Sequence, residues 1–209
     1  MKHEKIFYLI ALLFMTLTMA SCSENDNTVE EYPNWKAKNE VYFNTLYATT
    51  QQKIASGDTS WKIIPNFSLQ LPEKNITLKP ENNIIVEVLK EGKGSGCPIY
   101  TDNVRCHYMG RLLPSTSYAD GLVFDKSYYG TFNEATANPA TFTINGGLVD
   151  GFATAMQNMH IGDKWRVYIP YQLGYGKKGA KTIPAYSTLI FEIILVSYYR
   201  ADADVPKVN

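Results

Sequence analysis

The chain has 209 residues, of which 45% are hydrophobic and 19% charged, and its 20 basic and 20 acidic residues cancel to a formal net charge of zero. This length and composition predict one globular domain with an accessory segment, because most domains hold about 100 to 200 residues. The charge balance argues against nucleic-acid binding, since a protein that binds phosphate backbones needs a cationic surface.

The first 21 residues have the composition of an export signal. Lys2 and Lys5 precede an apolar run at 6–19, which is too short for a membrane-spanning helix of about 20 residues but typical of a signal-peptide core. The run leads to Met-Ala-Ser-Cys22, and small residues before a cysteine resemble the processing site of bacterial lipoproteins. We therefore predict a lipoprotein signal peptide at 1–21 and lipidation of Cys22, which would anchor the chain to the bacterial cell envelope. A cleaved signal with an incidental cysteine is the alternative.

The stretch 22–33 is polar and acidic and predicts a tether, because it has few side chains to bury. Its composition resembles the acidic tags that direct some lipoproteins to the outer cell surface. Two locations at the outer membrane therefore stay open, the periplasmic face and the cell surface. The membrane, through the lipid anchor, is therefore a predicted partner.

A helix of about five turns is predicted from Asn34 to Ser56, where apolar residues lie near one stripe and Gly57 follows the end. Packing against its own domain is the favoured interpretation, because the apolar spacing is too irregular for a coiled coil. A homodimerisation or client-binding arm is the alternative. The proline-rich stretch that follows, up to Glu81, interrupts short apolar pieces such as Trp61-Lys-Ile-Ile and predicts a connector.

Two strands are predicted next. Ile84-Ile-Val-Glu-Val-Leu is rich in β-branched residues, and the second apolar run extends from Asn103 to Leu112. A long loop follows up to Gly121, and another polar and aromatic loop occupies 128–138. Long loops are often functional, so both are expected to influence access to a neighbouring site. Surface loops that are simply tolerated are the alternative, because lengthening a loop costs little free energy.

The stretch 140–191 predicts a short helix packed against strands. Alternation indicates a strand at Thr141-Phe-Thr-Ile and another from Trp165 to Pro170, where proline ends the pairing. Between them, apolar residues recur at i, i+3, i+4 and i+7 on one face of a helix that Gly162 would end: Phe152, Ala155, Met156 and Met159. The loop 171–186 carries too many apolar side chains for a solvated connection, so some should face a ligand or the core.

Five motifs in this order resemble the FKBP-type peptidyl-prolyl cis-trans isomerases: VRCHYMGRL, LVFDKS, GLVDGF, YQLGYG with a following Ile-Pro, and TLIFEI. The resemblance covers 84–198. It implies an α+β fold in which a curved antiparallel β-sheet wraps around one short α-helix, here with an N-terminal helical extension. The predicted organisation is a helical arm and connector at 34–81, an isomerase-like domain at 82–200 and a C-terminal tail at 201–209.

The resemblance also implies a prolyl isomerase that assists the folding of exported or surface proteins by non-covalent catalysis in an apolar aromatic pocket, with no cofactor and no metal. The implied catalytic residues are Asp125, Tyr175 and Phe124. The implied substrate-binding residues are Tyr108, Leu148, Val149, Phe152, Ile183 and Phe191. In these roles Phe152 forms the floor, the Val149 N–H and Tyr175 hydroxyl donate hydrogen bonds to substrate carbonyls, and Asp125 lies near the rotating bond.

Two departures from the family pattern affect this interpretation. The floor residue is usually tryptophan, where this chain has Phe152, and Gly146-Gly147 replaces a longer and more polar turn. A non-catalytic proline-binding module or envelope chaperone therefore stays open as an alternative. Because the family-like segment contains its own helix and sheet, we also expect a fragment beginning near Asn82 to fold alone.

Other chemistry has little support in the sequence. His3, His107 and His160 have no cysteine or carboxylate at metal-ligand spacing, so no zinc site is predicted. Cys97 and Cys106 form no Cys-x-x-Cys motif and are predicted to be separate thiols. A disulfide between them is the alternative, because export would permit one.

Overall fold

The computed structural model of the protein describes residues 29–69 and 78–203. The predicted signal peptide, Cys22 and most of the tether lie outside the described residues, as does the end of the C-terminal tail. Almost all described residues belong to one compact unit, which spans 31–209. Within these described ranges, no helix combines the length and the apolar character that crossing a membrane requires.

The main element is an antiparallel sheet to which the described residues contribute seven strands. They are β1 Trp61–Pro65, β2 Asn83–Lys90, β3 Asn103–Arg111, β4 Val123–Lys126, β5 Ala140–Thr143, β6 Lys164–Ile169 and β7 Leu189–Tyr199. The strand order is β1-β2-β6-β7-β3. The free edge of β3 pairs with β4 at Met109–Arg111 and with β5 at Asn103–Cys106. Two short strands therefore share one edge.

Alternation along the strands sets which side of the sheet is buried. In β7 the inward-facing side chains are buried and their neighbours are partly exposed: Leu189, Phe191, Ile193 and Leu195. The same period of two holds at the centre of β6, where Trp165 and Val167 join the core and Arg166 lies on the other face. One face of the sheet therefore forms the core.

The helix α2, Asp150–Met156, lies on this face and is buried over six of its seven residues. Gly151 allows its close approach to the sheet, because an added Cβ would lie 2.3 Å from the Ile169 side chain. The helix is shorter than predicted. It ends at Met156 and not at Gly162, and Met159 is fully buried in the turn that follows. The one-helix α+β fold implied by the resemblance is confirmed for this part of the chain.

The predicted N-terminal helix is present as α1, Trp35–Ala55. It packs against its own domain, since Trp35 belongs to the main core and Phe43 contacts a second cluster with Ile85 and Tyr168. Near its end Ile54 is 41% exposed, so the apolar stripe predicted for this helix is not buried along its whole length. The helix therefore packs against its own domain, as the favoured interpretation of its sequence predicted.

The connector prediction is wrong for 61–65, because these residues form the edge strand β1 paired with β2. An edge strand tolerates proline, which cannot donate to a partner, and Pro65 is its last residue. Cys97 and Cys106 are both free thiols, as favoured from the sequence. Burial raises the pKa of Cys106 to about 12, so this thiol is inert.

Candidate functional site

A cavity of about 280 Å³ opens where the start of α2 meets β3, β5 and β7. Its lining residues are Tyr108, Asp125, Phe142, Gly146, Gly147, Leu148, Val149, Phe152, Tyr175 and Phe191. Seven of these ten residues were predicted from the sequence as site residues. Strands, a helix start and the loop after β6 all contribute, so the cavity depends on the whole tertiary fold.

Four aromatic rings form the apolar part of the cavity. Phe152 contacts Phe191 edge-to-face with 5.1 Å between ring centroids, and Tyr108 approaches Phe152 in the same manner at 5.9 Å. Phe142 lies 5.6 Å from the Tyr108 ring and 6.2 Å from the Phe152 ring. Edge-to-face packing fixes ring orientations, so the wall is rigid and apolar.

Asp125 is the carboxylate at this wall, and both of its oxygens are occupied. The Tyr108 hydroxyl donates to Oδ2 at 2.8 Å, and the Lys126 N–H donates to Oδ1 at 2.9 Å. Burial, together with the hydrogen bond to Asp125, raises the pKa of Tyr108 well above its usual range. Tyr108 therefore stays protonated and holds Asp125 in a fixed position.

Tyr175 lies at the rim and is 39% exposed. Burial of part of the ring, and then the charge of Asp125, raise the pKa of Tyr175, so the hydroxyl keeps its proton. Among the described residues the Tyr175 hydroxyl has no hydrogen-bond partner. It is therefore available as a donor to a ligand.

Val149 is the N-cap of α2 and presents backbone groups to the cavity. Its carbonyl accepts from the N–H groups of Phe152 at 2.9 Å and Ala153 at 3.0 Å. Its own N–H makes no hydrogen bond within the described part of the chain. An unpaired N–H beside an apolar cavity is a natural donor for a peptide carbonyl.

Two predicted residues do not line the cavity. Phe124 contacts Phe191 edge-to-face with 5.4 Å between ring centroids, and Ile183 is buried within the loop after β6. Gly110 makes room for the Phe124 and Phe191 rings, because an added Cβ would lie 2.6 Å from each of them. Phe124 thus supports a wall residue.

Phe142 is the lining residue that the sequence analysis did not single out. The signal was present, because Phe142 lies inside the alternating Thr141-Phe-Thr-Ile strand. Gly146 and Gly147, noted only as a departure, also line the cavity. Gly147 has φ +101°, and an added Cβ would meet nothing within 4 Å, so this turn leaves the entrance open.

The site contains donors, a carboxylate and rings, and the described ranges place no three His, Cys, Asp or Glu side chains close enough together to hold a metal ion. His107 instead packs its ring against Phe132 at 5.1 Å. The arrangement can bind an apolar group flanked by carbonyls. It holds no nucleophile activated by a neighbouring base.

Comparison with known proteins agrees with this geometry. The family model for "FKBP-type peptidyl-prolyl cis-trans isomerase" matches residues 97–196. The FKBP-type 22 kDa peptidyl-prolyl cis-trans isomerase of Escherichia coli K12 is 39% identical over 117 residues, which is 56% of this chain and 50% of that protein. The peptidyl-prolyl cis-trans isomerase Mip of Coxiella burnetii is 35% identical over 56% of this chain and 45% of its own length.

The chain therefore spans about half the length of the curated relatives that it matches. Among solved structures, a peptidyl-prolyl cis-trans isomerase from Pseudomonas syringae superposes with a TM-score of 0.49 at 25% identity, covering 75% of this chain and 96% of that chain.

Proposed function

We propose that the protein isomerises prolyl bonds in polypeptides, because residues 97–196 match the family model for FKBP-type peptidyl-prolyl cis-trans isomerases. The observation that carries the proposal is the rigid aromatic cavity with Asp125 fixed at its wall by the Tyr108 hydroxyl at 2.8 Å. Such a cavity suits an apolar pyrrolidine ring. The free donors at Tyr175 and Val149 suit the carbonyls on either side of it.

Catalysis then follows from differential binding. The rotation barrier of a peptide bond is about 18 to 20 kcal/mol, because resonance gives the C–N bond partial double-bond character. At the top of the barrier the resonance is lost and the amide oxygen is less polar. A dry aromatic cavity therefore destabilises the twisted amide less than the planar one, and rotation is accelerated without a covalent step.

Residue roles in this proposal follow the geometry. Phe152 and Phe191 hold the proline ring, while Phe124 acts by supporting Phe191. Asp125 contributes a negative field close to the bond whose charge redistributes, and such a preorganised field acts mainly on the transition state. Tyr175 and the Val149 N–H orient the substrate backbone.

The test is exchange NMR spectroscopy on a peptide with a hydrophobic residue before proline, which gives the cis-trans rate and the Kd together. The wild type should enhance exchange, and Asp125→Asn, which keeps an acceptor for Tyr108 but loses the charge, should lower the enhancement about tenfold or more with less than a threefold change in Kd. Binding without enhancement in the wild type would refute the enzyme and favour the second candidate, a non-catalytic proline-binding module, for which Phe152 in place of tryptophan is the supporting feature.

We further propose that the mature protein is attached to the cell envelope through a lipidated Cys22 and acts there on exported polypeptides. The support is the sequence alone: a short apolar segment followed by Ala-Ser-Cys22. Labelling with radioactive palmitate should modify the wild type and leave Cys22→Ala unlabelled and released from membranes. An unlabelled wild-type protein would contradict the lipoprotein assignment.

A further inference from the structure

The loop that joins β6 to β7, residues 170–188, is called the pocket loop here because it carries Tyr175 to the cavity. It is folded by its own hydrogen bonds. The Gly176 N–H donates to the Tyr171 carbonyl at 2.8 Å, and the Tyr186 N–H donates to the Gly176 carbonyl at 3.0 Å. Because Tyr175 precedes Gly176 directly, a displacement of Tyr186 reaches the cavity rim through one hydrogen bond.

A second pair of hydrogen bonds closes the far end of the loop. Ala180 and Ile183 exchange N–H to carbonyl bonds at 3.0 and 2.8 Å. Gly179 beside them has φ +69°, and an added Cβ would lie 2.3 Å from the Ile183 carbonyl oxygen. The far end of the pocket loop is therefore closed by its own backbone hydrogen bonds.

Tyr186 is strained within this loop. Its φ of 62° lies in the left-handed region, which a residue with a bulky side chain rarely adopts unless its surroundings impose it. Two side-chain contacts hold its ring in place. The Tyr171 ring packs edge-to-face at 5.1 Å, and Lys36 of α1 places its Nζ 5.1 Å from the Tyr186 ring centroid. One of the contacts therefore comes from the N-terminal helix.

Helix α1 holds the end of the pocket loop more firmly at Ser187. Trp35 donates its indole N–H to the Ser187 hydroxyl at 2.8 Å, and that hydroxyl donates to the Pro184 carbonyl at 2.7 Å. Trp35 is 7% exposed and Ser187 2% exposed. The bond is thus shielded from water, which would otherwise compete for both groups.

Asn39, one turn further along α1, holds the next residue. Its side-chain oxygen accepts from the Thr188 N–H at 2.7 Å, and its amide nitrogen donates to the Trp35 carbonyl at 2.7 Å. Asn39 is 0% and Thr188 1% exposed. A buried N–H without a partner is costly, so Thr188 depends on Asn39 for its position.

We propose that α1 is a positioning element of the cavity: Trp35 and Asn39 hold the pocket loop so that Tyr175 stays at the rim. The helix ends at Ala55, well before the family-matched segment begins at Cys97, so the cavity is completed by a part of the chain outside that segment. The expected effect on peptide binding rests on the proposed function. The expected effect on the order of the pocket loop does not rest on it.

Loop order is measured without peptide, by hydrogen exchange of the Gly176, Ile183 and Tyr186 amides. Asn39→Ala and Trp35→Phe should each lower protection at these amides about tenfold, because each removes a buried hydrogen bond to the loop end. Ser187→Ala removes the Trp35 bond from the loop side without altering the helix, which covers the case in which Trp35→Phe fails to fold. Combined with Trp35→Phe it should add only the loss of the Ser187 bond to the Pro184 carbonyl, since each single change already removes the Trp35–Ser187 bond.

The matched control is Phe43→Leu, a substitution in the same helix at a residue that packs against Ile85 and Tyr168. It weakens α1 packing but should leave protection of the three amides within twofold. Unchanged protection in Asn39→Ala and Ser187→Ala, or an equal loss in Phe43→Leu, would overturn the proposal.

With the proline peptide, Asn39→Ala should raise the Kd about fivefold or more, whereas Phe43→Leu should match the wild type. If the wild type neither binds nor isomerises the peptide, the proposed function fails, and the positioning role is then decided by the exchange data alone. If the loop amides lose protection but the Kd stays unchanged, α1 orders the loop without positioning Tyr175, which would contradict the proposal.

Discussion

Two groups of aromatic rings lie on opposite faces of the same sheet, and the inner group encloses the cavity beside Asp125. On the inner face Tyr108, Phe142, Phe152 and Phe191 surround the 280 Å³ space. On the outer face Trp61 stacks on Tyr168 with 6.3 Å between centroids, and Tyr42 of α1 lies 6.4 Å from Tyr168. The residue types are alike, so composition alone does not decide which group binds a ligand.

The difference lies in what covers each group. The outer rings are covered by α1, whose Phe43 fills the space above Ile85 and whose Lys53 places its Nζ 3.7 Å from the Trp61 ring centroid. Burial there raises the pKa of Tyr42 to about 12. The inner rings are instead bordered by the glycine turn at 146–147 and the pocket loop, which leave an opening.

The packing of α1 and β1 on the outer face argues against independent folding of a fragment that begins near Asn82. A fragment beginning near Asn82 would lose β1 and α1 together, and would expose Tyr168 and Ile85 to water while removing Trp35 from the core. Loss of a single buried Phe or Trp side chain typically costs about 3 to 5 kcal/mol, so losing Trp35 and Phe43 matches the whole stability of an ordinary domain.

We therefore expect the fragment to show no cooperative urea unfolding, in contrast to a fragment beginning at Val29. The measurement is circular dichroism and fluorescence against urea for both. A cooperative transition with a similar slope in the shorter fragment would mean that the outer face is an appendage, and that the two groups of rings are energetically independent.

The sequence predicted the inner face better than the outer one for a physical reason. Strand β6 and the strand at Thr141-Phe-Thr-Ile are signalled by local alternation, β2 by its β-branched residues and α2 by the spacing of apolar residues, and these signals operate over a few neighbours. The strand β1 has no such signal, because Pro65 and the irregular polar sequence around the strand obscure any repeating pattern. Its pairing with β2 is a tertiary event.

The same limit applies to the site. The resemblance supplied Tyr108, Asp125, Phe152 and Phe191, since these residues sit inside short motifs. It did not supply the hydrogen bonds between Trp35 and Ser187 and between Asn39 and Thr188. The two partners are separated in the sequence by 152 positions in the first bond and by 149 in the second. A contact of that range leaves no pattern in a single sequence, so only the folded chain reveals it.

Two matched substitutions test the same comparison of the inner and outer rings. Their expected effects are smaller than the effect of the truncation. Phe43 and Phe142 are the same residue type, one in the closed outer group and the other on the open cavity. Phe43 is 4% exposed and should cost about 3 to 5 kcal/mol of unfolding free energy when changed to alanine. Phe142 is only partly buried against the core, so Phe142→Ala should cost about half as much.

Binding should show the opposite order, because Phe142 forms part of the wall that a proline ring would contact and Phe43 lies on the other face. Phe142→Ala should weaken proline-peptide binding about three- to tenfold, which corresponds to about 0.7 to 1.4 kcal/mol, while Phe43→Ala leaves the Kd unchanged under conditions where it is folded. Urea unfolding and peptide titration on both variants give the two quantities. Equal losses of binding in the two variants would show that the two faces are coupled through the sheet. The stability of the outer group and the shape of the cavity could then not be altered separately.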